Sequence, residues 1–534
     1  MSKKKQANKL IMQRQKFKFK LNYLGILSIV LLTGAIACDS KGKPNIADDS
    51  TTQPKQVEST IIVDAQLSGT ARNLSPNFTC FNVNSVQIES WQRPEFLAAV
   101  NRIKPATLRI PGGDVGNYWD WQRGGLIEDI SILPDGLPFF LRFRARQYTA
   151  SKLTDYQAGL QGTKTKPIFM LNMLTSSLQS QLAMLRSARD LGIPVEFIEL
   201  GNEFYFNINN YKQVFPTPQE YALQASQWIA AIEQEFPQAI ISVVGVVPEP
   251  DKPERLQLWN QTLLNSALPA ADAITLHIYP DTGLTSEPER TTYPWFEASE
   301  VPIILGEPFR NWQNLRNDRN FKIIPRNKRI WVTEYNLFED LFPNGTSNPP
   351  EPRVAGSWTH GLYNLAMSLL FLEESRIELA CNHSLLESSI FGAILANDKS
   401  FVNPANPNMT SEPLSLSATG RAMSLFYDAA TGMRRAEKIN FSSNASLTGK
   451  DGFTYPSLSG WKFTRSRQEK AILVNFSDTP QTVRINTLFN RTVRYRSLSG
   501  SPLSLVNQTG VLTEDRGRVT DSIALPPYSV IELF

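Results

Sequence analysis

Residues 195–203 read Val195-Glu196-Phe197-Ile198-Glu199-Leu200-Gly201-Asn202-Glu203, a short apolar run that closes on a glycine, an amide and an acid. Brief runs of this kind mark strands of a parallel sheet buried on both faces. Working outward, seven other segments share the pattern: Asn77–Val83, Thr107–Pro111, Pro167–Asn172, Ile241–Gly245, Ala273–Ile278, Arg329–Thr333 and Ile377–Cys381. Amphipathic stretches separate them; Tyr221, Ala225, Trp228, Ile229 and Ile232 fall on one stripe at helical spacing. Eight alternating strand–helix units, with no G-x-G-x-x-G turn, fit an α/β fold of the (β/α)8 TIM-barrel type better than an open doubly wound sheet.

After a helix around Ser415–Ala430 the pattern changes to period two, as in Lys470–Phe476 and Thr482–Ile485, with Ser, Asn and Gly between the runs. This predicts a C-terminal antiparallel β-sandwich over residues 434–534. The barrel is assigned to residues 59–433. The strand-like Thr60–Ala65 has no place in the cylinder, so residues 59–69 are also candidates for the sandwich. Cys80 and Cys381 fall on strands one and eight, neighbours once the barrel closes. A disulfide and a pair of buried thiols are both open, and the reading favours thiols because strand partners often miss disulfide geometry.

The chain has 534 residues, 41% hydrophobic and 19% charged, enough for a large barrel and a smaller domain. Residues 1–37 carry eight of the 54 Lys and Arg residues and none of the 50 acids, so the remainder is mildly acidic. That balance argues against nucleic acid as a partner. Three His and no C-x-x-C or H-E-x-x-H pair argue against a zinc or iron–sulfur centre. Walker-type and G-x-S-x-G signals are missing, and no organic cofactor or metal is expected.

A basic, polar stretch followed by the apolar run Tyr23–Ala37 and by Cys38 reads as an export signal over residues 1–37. The run is too short for a permanent span. Ala35-Ile36-Ala37-Cys38 resembles the cleavage site of a bacterial lipoprotein, which implies lipid attachment at Cys38 and a membrane contact through that anchor alone; plain secretion after Ala37 is the alternative. Residues 38–58 read as a flexible spacer.

In a TIM barrel the chemistry projects from the C-terminal ends of the strands. Strand two ends in Arg109-Ile110-Pro111-Gly112-Gly113-Asp114, strand four in Asn202-Glu203, strand six in His277-Ile278-Tyr279 and strand seven in Glu334-Tyr335-Asn336. Acids at the ends of strands four and seven face one another across the mouth. Glycosidic bond cleavage needs such a pair, one carboxyl protonated to donate to the leaving oxygen and one ionised to attack the sugar carbon. Glu203 is assigned as acid/base, which calls for a raised pKa, and Glu334 as nucleophile. Glu199 lies on the face of Glu203 but deeper, so it is read as a structural ion pair with Arg109.

These motifs resemble those of the large clan of retaining glycosidases with catalytic glutamates on strands four and seven, over the barrel and in outline the sandwich. Gly201-Asn202-Glu203, Val332-Thr333-Glu334-Tyr335-Asn336 and Leu276-His277-Ile278-Tyr279 carry the resemblance. Arg109 with Pro111-Gly112-Gly113 is similar to α-L-arabinofuranosidases, and the heparanase and β-glucuronidase branch shares the architecture. The resemblance implies a retaining glycoside hydrolase acting on a poly- or oligosaccharide, with Asn202 on the sugar 2-hydroxyl and Tyr279 and Arg109 aiming Glu334. Asp114 stands where arabinofuranosidases usually carry Asn.

His277 is placed in the site because it shares an inward face with Tyr279, while a core histidine is the plainer reading. Trp119 and Trp121 follow the glycine loop; Trp119 is a candidate sugar platform and, equally, a loop anchor. His383 is left undecided and His360 unassigned. The competing function is a surface glycan-binding lipoprotein that kept the barrel without turnover.

Overall fold

The computed structural model describes residues 61–86, 89–128, 151–247, 254–284, 296–338, 354–387, 391–396 and 410–534. The export signal, Cys38 and the spacer lie outside the described residues. Eight parallel strands close a barrel: β1 (Thr79–Asn82), β2 (Thr107–Ile110), β3 (Lys166–Met170), β4 (Phe197–Leu200), β5 (Ile240–Val244), β6 (Ala273–Ile278), β7 (Arg329–Tyr335) and β8 (Ile377–His383). Each is followed by one main helix: α1 (Pro94–Ile103), α2 (Leu153–Thr163), α3 (Leu178–Asp190), α4 (Pro218–Glu235), α5 (Glu254–Asn265), α6 (Val301–Asn317), α7 (Trp358–Phe371) and α8 (Ala418–Ala430).

Local sequence explains the helix starts. Thr217 caps α4, its hydroxyl accepting from the Gln219 amide at 3.2 Å while Glu220 reaches back to the Thr217 amide at 2.9 Å, and Pro218 supplies a preset first turn. Ser177, Ser357 and Ser417 cap α3, α7 and α8 in the same way. The apolar stripe of α4 is buried as its spacing requires.

Strand periodicity layers the barrel interior. Cys80, Ile168, Phe197, Ala273, Trp331, Leu379 and Cys381 form an apolar floor. Two residues beyond Phe197, Ala273 and Trp331 the inward positions turn polar, with Glu199, Thr275 and Thr333 buried, and Arg109 of β2 is buried beside them. Cys80 and Cys381 pair directly across β1 and β8, with Cα atoms 4.0 Å apart, and are joined by a disulfide. This corrects the expectation of free thiols: both side chains point into the lumen at one level of adjacent parallel strands, so the register brings the sulfurs together.

The second domain is built on a mostly antiparallel sheet of nine strands, with a small separate pair, Ser446–Thr448 and Thr454–Pro456. The hydrogen-bonded order of the nine is Thr513–Val519, Val493–Ser499, Ser529–Leu533, Gln468–Asn475, Leu458–Arg465, Arg435–Phe441, Ile61–Asn73, Gln481–Arg484 and Ser522–Leu525. Ile61–Asn73 is the exception in direction: Ala65–Asn73 runs antiparallel to Arg435–Phe441, whereas Ile61–Asp64 runs parallel to Gln481–Arg484. A separate apolar core that includes Val63, Ile439, Leu473, Val483 and Ile531 fills this domain. Helix α7 lies between the two domains and is buried at all 14 positions. Its Trp358 indole donates to the Tyr528 carbonyl at 2.6 Å and Thr359 to the Pro502 carbonyl at 2.9 Å.

Candidate active site

Two backbone irregularities aim the two acids. On β4, alternation carries the inward face from Phe197 to Glu199, after which the strand ends and the chain turns through Gly201 (φ +90°) and Glu203 (φ +50°). A Cβ on Gly201 would lie 2.0 Å from the Phe204 ring, so the turn requires glycine. Glu203 holds a left-handed conformation that costs a non-glycine residue energy, and such strain persists where surrounding contacts enforce it. On β7, Trp331 and Val332 pair with Thr275 and Leu276, but His277 pairs with Glu334. Thr333 is thus an extra residue, a bulge. Strict alternation from the floor residue Trp331 would send Glu334 outward with Val332; the bulge turns it into the mouth.

One oxygen of Glu203, one of Glu334 and a ring nitrogen of His277 all lie within 4.8 Å of one another. Glu334 Oε1 accepts from Arg109 Nη1 at 2.7 Å and from Asn82 Nδ2 at 3.4 Å, and Oε2 accepts from the Tyr279 hydroxyl at 2.7 Å. His277 Nδ1 and His383 Nδ1 each stand 3.7 Å from Oε2. Burial alone would raise this carboxyl, but His277, His383, Arg109 and the Tyr279 hydroxyl outweigh it and bring Glu334 down to about 2. It is ionised at neutral pH.

Arg109 is fully buried, and each of its three side-chain nitrogens has a hydrogen-bond partner. Its Nε donates to Glu199 Oε2 at 2.5 Å, Nη1 also to Asn82 Oδ1 at 3.2 Å, and Nη2 to Asn202 Oδ1 at 2.8 Å. Glu199 therefore balances the arginine from below while Glu334 takes its upper edge. Buried charges of this kind hold geometry only when fully partnered.

His277 connects Glu203 to the deeper Glu199 through one ordered chain of hydrogen bonds. The Thr333 hydroxyl donates to Glu199 Oε1 at 2.8 Å, so its oxygen is the acceptor for His277 Nε2–H at 3.0 Å. That fixes the tautomer and leaves Nδ1 to share a proton with Glu203 Oε1 at 2.7 Å. Burial would lower the His277 pKa, but Glu334 and Glu203 more than reverse this and raise it. The Tyr205 hydroxyl donates to the same Glu203 oxygen at 2.9 Å. Burial and the nearby carboxylates raise both Tyr205 and Tyr279 well above the usual phenol range, so both remain donors.

Asn202 and Asp114 complete the rim. Asn202 is 1% exposed, and its Nδ2 donates to Asp114 Oδ1 at 3.0 Å; Tyr211 donates to the same oxygen at 2.9 Å. Burial, with Glu203 and Glu334 close by, raises Asp114 to about 7. Gly113 lets this loop rest on Glu334, since a Cβ there would sit 2.4 Å from its Oε1.

The structure thus gathers Arg109, Asp114, Asn202, Glu203, His277, Tyr279 and Glu334 at one mouth. Trp119 is not among them: it is 5% exposed and packs in the core within a small hairpin with Leu126, which leaves little ring face for a sugar. Trp121 is likewise an anchor, its indole donating to Ser180 at 3.2 Å. His360 is buried against Asn336 at 2.7 Å, and burial lowers it to about 3. Asn82, Tyr205 and His383 were not assigned from the sequence. Asn82 bonds His383 Nδ1 as well as Glu334, and its only signal was its place at the end of strand one.

Glu203, His277 and Glu334 are also the one cluster among the described residues compact enough for a metal ion. The donor set is a poor fit. Arg109 and Tyr279 already occupy Glu334, and Thr333 and Glu203 occupy His277, so a cation would have to displace a guanidinium.

No protein-family model matches the sequence, and no curated protein does. Solved structures do resemble the fold. A family 51 α-L-arabinofuranosidase from Bifidobacterium longum superposes with a TM-score of 0.65 at 14% identity, over 89% of this chain and 99% of that one. A 4-O-α-L-rhamnosyl-β-D-glucuronidase from Fusarium oxysporum gives 0.53 at 13%, over 89% and 100%. A family 44 endoglucanase from Clostridium thermocellum gives 0.52 at 12%, over 89% and 99%. At such identities the likeness shows a shared fold of barrel plus β-domain.

Proposed function

We propose that the protein is a retaining glycoside hydrolase that cleaves O-glycosidic bonds of an oligo- or polysaccharide by double displacement. The observation that carries this reading is the approach of the two acids, oxygen to oxygen within 4.8 Å. Retaining enzymes hold their carboxyl groups about 5–5.5 Å apart, whereas inverting ones leave about 6.5–9.5 Å for a water. Three structural neighbours of the barrel carry names of glycoside-cleaving enzymes, which is consistent with the reading.

In this reading Glu334, held ionised, attacks the anomeric carbon while Glu203 gives its proton to the departing oxygen. A glycosyl ester on Glu334 results. Glu203 then takes a proton from water, which displaces the sugar and frees Glu334. His277 and Tyr205 hold Oε1 of Glu203, which leaves Oε2 for the leaving group. Arg109 and Asp114 orient the Asn202 amide, whose second N–H is the donor this reading assigns to the sugar 2-hydroxyl. Asn202 and Tyr211 take Asp114 Oδ1, so Oδ2 is left to meet a ring hydroxyl, as a donor when the carboxyl is protonated and as an acceptor when it is ionised. The export signal and Cys38 support placing this chemistry at a bacterial cell envelope, either lipid-anchored or secreted.

The test is turnover of an aryl-glycoside panel that includes L-arabinofuranosides, D-glucuronides and D-glucosides. Glu334→Gln is expected to abolish release. Glu203→Gln is expected to show a burst followed by turnover slowed by roughly 10²–10⁴-fold. A wild-type protein that binds oligosaccharides and releases no aglycone would favour a glycan-binding protein.

A further inference from the structure

A well-defined cleft formed by the described residues lies away from the catalytic mouth. It has a volume of about 970 Å3 and lies between the last turns of α6 and α7 and the strands Arg435–Phe441, Thr454–Pro456 and Leu458–Arg465. Barrel helices run opposite to the strands, so the C-terminal turns of α6 and α7 stand level with the floor rather than the rim. The cleft is therefore separate from the site of Glu203 and Glu334.

Its walls combine two chemistries. Phe309 and Phe453 are half-buried rings, Phe309 stacking on Tyr455 at 5.2 Å, while Gln313 and Asn440 present exposed amides. Rings flanked by amides suit a sugar, whose C–H face packs on an aromatic and whose hydroxyls need polar partners. Charge then selects among sugars. Arg316, Lys322 and Lys438 line the cleft against the single acid Glu373. Lys438 and Arg316 share that carboxylate at 2.5 and 3.3 Å, and the Trp312 indole donates to it at 3.1 Å. Lys322 is paired with no acid among the described residues. The excess is positive, on a chain whose balance after residue 37 is slightly negative.

We infer that this cleft is a second glycan-binding site, taking a non-scissile stretch of an acidic, uronate-bearing polysaccharide. The inference rests on the hydrolase reading for its choice of a carbohydrate and commits to the acidic class on charge. Such a site would hold the polymer while the barrel works on another part of the same chain, which raises the local substrate concentration without touching the chemistry.

The experiment is native affinity electrophoresis in polygalacturonate, in neutral arabinan and with polyglutamate as competitor, using Glu334→Gln so that no polymer is consumed. The expected result is retardation by polygalacturonate that weakens with salt and is not matched by arabinan or relieved by polyglutamate. Lys322→Ser with Lys438→Ser on that background should raise the apparent Kd by about three- to tenfold, and Phe453→Ala should weaken binding again. The lysine and phenylalanine variants with Glu334 intact should turn over aryl glycosides at the wild-type rate. Unchanged retardation in the variants, equal retardation by arabinan, or full relief by polyglutamate would each overturn the inference. A protein that behaves as expected in the gels yet hydrolyses no glycoside would remove the hydrolase reading and leave the cleft standing.

Discussion

At the scale of single residues, the site is a set of opposed protonation states. Glu334 is held ionised by an arginine, two histidines and a phenol, and Asp114, within the same mouth, is raised to about 7. Asp114 thus binds its proton more tightly in the folded than in the unfolded chain. Its contribution to stability is present at low pH and is lost as pH rises from about 4 through 7. Glu334 has the opposite sign: its contribution is present above about 4.5 and fades as pH falls toward 2. Asp114→Asn keeps an acceptor for Asn202 and Tyr211 while removing the charge. It should raise the melting temperature by several degrees at pH 8, with the gain shrinking as pH falls below about 7 and nearly gone by about 4. Thermal unfolding across that range checks it, and a pH-independent shift would count against the assignment. Glu203 and Glu334 were legible in the sequence because each follows an apolar run, and Arg109 because it interrupts one. Asn82, Tyr205 and His383 were not, since their roles arise only when β1 meets β8 and the turn after β4 folds back.

At the scale of elements, all eight barrel strands were legible, because burial on both faces leaves an apolar run that needs no partner to be seen. Register was not. The Thr333 bulge is a property of how β7 pairs with β6, and simple alternation would have sent Glu334 outward. The disulfide between β1 and β8 was missed for the same reason, as its formation depends on two strands 301 residues apart meeting in register. A cross-link closing so long a loop restricts the unfolded chain strongly, and its loss should cost about 2–5 kcal/mol. Cys80→Ser with Cys381→Ser should therefore unfold at lower denaturant with a somewhat steeper slope, because the unlinked unfolded chain exposes more surface, while folded protein keeps its aryl-glycoside turnover. Equal denaturation midpoints for variant and wild type would show that the link contributes nothing.

At the scale of the whole molecule, the change from helical to period-two patterning near residue 434 marked the second domain. The split role of Ile61–Asn73 could not be read, because a strand that is antiparallel to one neighbour and parallel to the next carries no distinct composition. That strand begins just after the proposed spacer, so an anchor at Cys38 would tether the molecule through its β-domain, with the barrel free to reach polymer. Cys38→Ser should move the protein from the membrane fraction to the soluble fraction of cells that express it, with catalytic activity intact. Retention of the variant in the membrane fraction would argue against lipid attachment at that residue.

The account depends most on Glu334 forming a bond to sugar. Reaction with an activated 2-deoxy-2-fluoro glycoside of the preferred sugar, followed by mass spectrometry of the digested protein, reads this directly. The account predicts one added glycosyl unit per chain, on the peptide containing Glu334. A label on Glu203, or steady release of product with no adduct and an inverted anomer, would contradict it.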